Sequence, residues 1–189
     1  MQPQLSNSCC FSGHRPDKLP PEQSPEGQQL RALLREMVCS KLREGCTHFY
    51  CGMARGADIW FAETVLALAM EQPSLGIRLY PMVPFPGQEG KPGTAYYSRY
   101  HAILRQSEPP RYFSAGYSLS SYHMRNRAMV DACGHFLSIF DGSPGGTQKT
   151  YAYAVQKQRK RLVYDPKTRR LYSWPHKEPI ASILNIFPL

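Results

Sequence analysis

The segment Gly134-His135-Phe136-Leu137-Ser138-Ile139-Phe140-Asp141-Gly142-Ser143-Pro144-Gly145-Gly146-Thr147 decides the fold. An apolar, β-prone run from Gly134 to Phe140 stops at a turn of glycine, serine and proline, and Thr147 opens a stretch of helical period that reaches Arg159. A strand leading through a glycine-rich turn into a helix is the repeating half of a βαβ unit. The turn also carries chemistry. Gly142, Gly145 and Gly146 let backbone N–H groups approach a phosphate, and the positive end of the helix dipole at Thr147 favours an anion. Asp141 stands at the strand end, while Ser143 and Thr147 add hydroxyl donors. The spacing fits neither Gly-x-x-x-x-Gly-Lys-Ser/Thr nor Gly-x-Gly-x-x-Gly, so an ordinary strand-to-helix turn stays open as the alternative.

Working outward, short β-prone runs alternate with helical ones. The candidate strands are Ser8 to Ser12, His48 to Cys51, Gly76 to Val83, Arg111 to Ser114, Gly134 to Phe140 and Arg161 to Asp165. Between them, Pro25 to Leu42 and Ala57 to Met70 carry apolar residues at helical spacing, and Tyr97 to Gln106, Ser121 to Ala132 and Thr147 to Arg159 are shorter helix candidates. This alternation predicts an α/β fold, a Rossmann-like three-layer sandwich with a mostly parallel sheet of about six strands. Pro84 to Thr94 holds too many Pro and Gly residues to extend a strand or helix and reads as a long loop at a strand's carboxyl end. With 189 residues and no internal repeat, one domain is expected, its core at 8–166 and a C-terminal extension at 167–189 in which Ile180 to Phe187 packs back on the domain. The apolar helix Ala57 to Met70 would permit a homo-oligomer.

The formal charge of +9 favours an anionic partner. Six cysteines without a paired Cys-x-x-Cys spacing fit buried thiols in a reducing compartment. With no signal-peptide pattern and no long apolar run, the expectation is a cytoplasmic protein without a membrane partner.

In an open α/β sheet, ligands bind beyond the carboxyl ends of the strands. The first such end offers Ser12, Gly13 and Arg15, and the second offers Gly52, Arg55, Gly56 and Asp58. Asp58 falls in the first turn of a helix, where it either caps the helix or contacts a ribose hydroxyl or acts as an acid or base; it is the candidate catalytic residue. Arg15, Arg125 and Arg127 are candidate phosphate clamps, because a guanidinium fork matches phosphate oxygens. Arg125 and Arg127 stand two apart on one helix, so they face different directions and one reaches the site while the other makes a surface pair. The six histidines form no His-x-x-x-His pair, and no metal site is expected. No Gly-x-Ser-x-Gly elbow supports a serine nucleophile. The run Lys157 to Arg161 with Lys167, Arg169 and Arg170, interleaved with Tyr164, Tyr172 and Trp174, reads either as a nucleic-acid patch or as a solvated helix end.

Five of these stretches, taken in order, resemble the YpsA-like proteins of the SLOG superfamily: Ser12-Gly13-His14-Arg15-Pro16, Gly52-x-Ala54-x-Gly56-Ala57-Asp58, Tyr80-Pro81-x-Val83-Pro84-Phe85, Arg125-Asn126-x-x-Met129-Val130 and Asp141-Gly142-x-x-Gly145-Gly146-Thr147. The resemblance runs from about Cys9 to Pro166. It implies a Rossmannoid sheet and a site for nucleotides or nucleotide-derived ligands of the ADP-ribose or NAD-derivative kind, and no cofactor beyond such a nucleotide-like ligand is indicated. Relatives include LOG-type phosphoribohydrolases and DprA-type DNA-binding proteins. LOG proteins carry Pro-Gly-Gly-x-Gly-Thr followed by a glutamate. Here Pro144-Gly145-Gly146-Thr147 lacks the third glycine, and Gln148, Lys149 and Thr150 follow instead. That weighs against hydrolysis and leaves Asp58, then Asp141, as the carboxylates for chemistry. The leading expectation is binding or sensing of a small nucleotide derivative. A nucleotide-processing hydrolase and a DprA-like single-stranded nucleic-acid binder are the alternatives.

Overall fold

Cys9, Cys10 and Phe11 are fully buried because the strand that holds them, β1 (Ser8–Gly13), runs through the middle of the sheet with a partner on each side. The structure, a computed structural model, describes residues 2–174, so the apolar stretch Ile180 to Phe187 lies outside the described residues. Beyond β1, the chain forms α1 (Pro25–Arg43), β2 (His48–Cys51), α2 (Ala57–Glu71), β3 (Arg78–Val83), α3 (Ala95–Gln106) and β4 (Arg111–Tyr112). It continues through α4 (Leu119–Asp131), β5 (His135–Ile139), α5 (Gly146–Gln156), β6 (Lys160–Asp165) and β7 (Arg170–Trp174).

The sheet order is β4-β3-β2-β1-β5-β6-β7. All neighbours pair in parallel except β6 and β7. The chain steps outward from β1 to β4, then α4 carries it back so that β5 lies beside β1. Strand order reverses there, the place where an open α/β sheet binds its ligands. The two strands stay in register to their ends, with Gly13 opposite Ile139 and the His14 amide donating to the Ile139 carbonyl at 3.2 Å.

Alternation along β1 sorts its side chains between two layers. Cys9 and Phe11 join α1, α2 and α3 in the larger core, where Phe11 stacks on Phe61 with centroids 4.6 Å apart. Cys10 joins α4 and α5 in the smaller core with Met129, Val130, Cys133 and Phe136. The expected α/β three-layer sandwich is therefore present, with helices on both faces of a mostly parallel sheet.

Local chemistry sets the helix ends. Ser24 accepts from the Gly27 amide at the start of α1, where Pro25 occupies the first helical position. Thr94 and Ser118 cap α3 and α4 in the same way, so both helices begin two residues before the expected Tyr97 and Ser121. The α5 helix ends at Gln156, short of Arg159, whose Nε reaches the Val130 carbonyl at 3.0 Å.

Two expectations need correction. The first is α2 as an exposed apolar helix for self-association. It is apolar all round because it is packed on the sheet between α1 and α3, and its buried residues run from Ala57 to Leu68. Ala67, Met70 and Glu71 are exposed, and Met70 is the one large apolar side chain that the helix leaves open. The second is the sheet of about six strands, to which the extension at 167–189 adds a seventh, β7. Asp165 Oδ1 accepts the amides of Lys167 at 2.8 Å and Thr168 at 3.3 Å, and Arg169 takes a positive φ of 54°, closing a hairpin that returns as β7. A turn built on Asp rather than Gly hid it.

Candidate functional site

Three loops meet beyond the β1–β5 end, and hydrogen bonds sew them together. Asp58 Oδ1 accepts the Gly13 amide at 3.3 Å and its Oδ2 accepts the Ala54 amide at 3.2 Å. The Ala57 amide donates to the His14 carbonyl at 3.1 Å, and Thr147 Oγ1 donates to the Gly13 carbonyl at 3.0 Å. Asp58 is thus neither a cap for its own helix nor a free acid: its carboxylate bridges the loops after β1 and β2. Gly56 sits at the tight point of that junction with φ 94°, where a side chain would press on the His14 carbonyl.

These loops frame a cavity of about 370 Å³. Ser12, Gly13 and Arg15 contribute from the end of β1, Asp58 from α2, and Gly145, Gly146 and Thr147 from the turn into α5. A Cβ on Gly145 or Gly146 would meet nothing within 4 Å, so both backbones face open space. The first amides of α5 are unsatisfied within the helix and its dipole is positive at this end.

Arg125 closes the cavity from α4. Its side chain is 4% exposed, its Nη1 donates to the Met82 carbonyl at a long 3.4 Å, and its Nε has no partner. Burial pulls this guanidinium below its ordinary pKa, with Asp58 acting in the opposite direction. Burial likewise raises the Asp58 carboxyl above the usual range, against the pull of Arg125 and Arg15. A guanidinium still stays protonated at neutral pH, so the cavity wall carries a buried positive charge.

The expected site residues divide into two groups. Ser12, Gly13, Arg15, Asp58, Arg125, Gly145, Gly146 and Thr147 come together in the cavity. Asp141, Gly142 and Ser143 turn away into a self-contained cluster. Ser143 Oγ donates to Asp141 Oδ1 at 2.5 Å and accepts from Lys18 Nζ at 2.8 Å, while Lys167 Nζ lies 2.7 Å from the other Asp141 oxygen. His14 Nε2 stands 2.9 Å from Asp141 Oδ1. Desolvation opposes the charge on Asp141, but Lys167, Ser143 and His14 outweigh it and hold the carboxyl well below its usual range. Arg55 is exposed and stacks over Tyr96, 4.8 Å from the ring centroid. Gly52 lies behind Arg125 rather than in the cavity, and Gly56 serves the junction.

Tyr122, Asn126 and Met129 line the cavity and were not anticipated there. With Arg125 they follow the spacing i, i+3, i+4, i+7, so α4 turns one whole face to the site, a signal present in the sequence. A second, larger cavity of about 450 Å³ lies between α4 and α5 and shares His123, Asn126 and Lys149 with the first. Arg127 faces it, stacked 5.3 Å from the Tyr153 centroid, so the two arginines do point apart. Of the two, the cavity at the strand ends is the candidate site, because it joins the buried Arg125 to the N-terminus of α5. Among the described residues no cluster of His, Cys, Asp or Glu is placed to hold a metal, and no helix is long and apolar enough to cross a membrane.

Known proteins resemble the chain in sequence or in fold. The chain is similar to a UPF0398 protein of Halalkalibacterium halodurans, 22% identical over 142 residues that cover 72% of each. It also superposes on DNA processing protein A (DprA) of Streptococcus pneumoniae, with a TM-score of 0.59 at 12% identity over 84% of this chain; this chain spans 50% of that one. Superposition on DprA from Helicobacter pylori, a structure titled for its single-stranded DNA binding mode, gives 0.56 at 16% identity, covering 96% of this chain and 73% of the other. At these identities the likeness to DprA is one of fold. The model of the YspA SLOG family matches residues 9–171, nearly the whole described chain, and the protein belongs to that family.

Proposed function

We propose that the protein binds a nucleotide-derived ligand, a nucleoside phosphate or an ADP-ribose or NAD derivative, with a phosphate at the Gly145–Gly146 end of α5. One observation carries the reading: Arg125 is a buried permanent cation with one long hydrogen bond and an unpartnered Nε, on the wall of the cavity that the α5 N-terminus enters. A buried charge without a hydrogen-bonding partner costs several kcal/mol, and a phosphate supplies that partner in the geometry a guanidinium prefers. Asp58 does not fill that role: its oxygens accept the Gly13 and Ala54 amides, and the one hydrogen bond of the Arg125 guanidinium goes to the Met82 carbonyl. The same engagement favours binding over hydrolysis, because no other carboxylate reaches the cavity among the residues that line it. Family membership and the superposition on DprA agree with a nucleotide-related role. Calorimetry with ADP-ribose, NAD and the nucleoside monophosphates tests it: micromolar binding of at least one is expected, and no heat from any of them refutes it.

A second reading has its own observation. The cavity between α4 and α5 continues the first through His123, Asn126 and Lys149, and adds Arg127, so a strand whose first phosphate sits at Gly146 has a cationic track to follow. DprA of H. pylori binds single-stranded DNA. This reading requires retardation of single-stranded DNA that weakens steeply with salt. The basic run at Lys157 to Arg161 is less free to act: Lys157 pairs with Asp131 at 3.2 Å, and Arg159 donates to the Val130 carbonyl.

A further inference from the structure

Beside the phosphate end of the cavity stands an apolar wall that phosphate binding does not use. Tyr122 and Leu119 line the cavity from α4. Phe85, in the loop after β3, and Tyr117, just before α4, meet Tyr122 edge to face. Ring centroids are 5.5 Å apart for Phe85 and Tyr117, 5.6 Å for Phe85 and Tyr122, and 6.4 Å for Tyr117 and Tyr122. Phe85 is buried and braces the other two rings, whereas Tyr117 is 70% and Leu119 72% exposed. Adjacent large apolar side chains left open beside a cavity mark a surface that gains free energy when covered. The Arg125 guanidinium lies 5.9 Å from the Tyr122 centroid, which puts the buried cation and the aromatic wall side by side. An occupant that satisfies both has an anionic end and a flat apolar end. In a nucleotide the base is that flat end, apolar on its faces and polar at its edge.

We infer that Tyr117, Leu119 and Tyr122, braced by Phe85, form the subsite that takes the base of the ligand. The inference rests on the phosphate reading above and extends it to base recognition. Asn126, one turn beyond Tyr122 on the same cavity-lining face, offers its side-chain amide to the base edge. Stacking accepts any base, so this wall separates a ligand with a base from one without more sharply than one base from another.

The test is calorimetric titration of the full chain with the four common nucleoside 5′-monophosphates and with ribose 5-phosphate. It is repeated on the double variant Tyr117→Ser, Leu119→Ser, whose exposed positions leave the fold intact, as a melting curve checks. The wild type is expected to bind at least one monophosphate about tenfold more tightly than ribose 5-phosphate. The variant is expected to lose that preference while its affinity for ribose 5-phosphate stays the same. Equal wild-type affinities, or a preference that survives in the variant, overturn the base subsite and leave the phosphate reading standing. A wild type that binds none of these probes overturns the base subsite, and one that also binds neither ADP-ribose nor NAD overturns the phosphate reading with it.

Discussion

The Arg125 guanidinium occupies the space that a side chain on residue 52 would need: a Cβ built on Gly52 falls 1.6 Å from Arg125 Nη1 and 2.9 Å from Asp58 Oδ2. Gly52 therefore acts on the site indirectly, by leaving room for the buried cation. Gly52→Ala is expected to displace the guanidinium and weaken nucleotide binding by tenfold or more, of order 1.4 kcal/mol, while Arg55→Ala, on the exposed side of the same loop, changes binding little. Titration of both variants with the tightest ligand of the panel checks this, and equal affinities in the two would contradict it.

Asp58 holds the loops after β1 and β2 together through two amides in a buried setting. Asp58→Ala leaves both amides without an acceptor and Arg125 without its neighbouring negative charge. The expected loss of stability is about 2–4 kcal/mol by urea unfolding, with Asp58→Asn losing less because its carbonyl oxygen still accepts one amide. A neutral Asp58→Ala would mean that the bridge does not form.

Both Asp58 oxygens are engaged by backbone amides, which commits the carboxylate to holding the loops rather than to moving a proton. Incubation of the wild type with nucleoside monophosphates is therefore expected to release no free base by chromatography. Base release that disappears in Asp58→Asn, with binding retained, would establish a hydrolase instead.

Asp141 makes stability depend on pH. Its folded-state carboxyl lies well below its ordinary value of 3.8, so the ionised form is favoured by folding. That stabilisation is complete above the ordinary value and disappears as pH falls from there through the folded-state value. Asp141→Asn is thus expected to melt lower than the wild type at pH 7, by about 3–6 °C, and the gap is expected to narrow steadily as the pH falls below 3.8. A gap that persists unchanged in acid would show that shape, not charge, holds the loop.

Much of this molecule is legible in its sequence. Among the described residues, six of the seven strands and the five α-helices are readable from period and punctuation, because each runs as an uninterrupted apolar or helical pattern. The strand β7 is not, since its hairpin turns on Asp165 and a left-handed Arg169 rather than on glycine. In the site, Gly145, Gly146, Asp58 and Arg125 are foreseeable from their places at strand and helix ends. What sequence order conceals is which polar groups satisfy each other. Asp141 and Ser143 are adjacent to the cavity loop yet bond to Lys18 and Lys167, distant partners that only the folded chain supplies. Likewise Phe85 and Tyr117 stand 32 positions apart and meet only because β3 and the approach to α4 end side by side.

The central claim is that a ligand phosphate sits against the backbone at Gly145–Gly146. Nothing lies within 4 Å of the position a Gly146 side chain would take, so Gly146→Asp folds normally while placing a negative charge where the phosphate belongs. Calorimetric titration of wild type and Gly146→Asp with the tightest-binding nucleotide is the direct measurement. The account predicts an unchanged melting temperature without ligand and an affinity at least about 100-fold weaker, roughly 2.7 kcal/mol. Equal affinity in a folded Gly146→Asp would place the phosphate elsewhere and contradict the account.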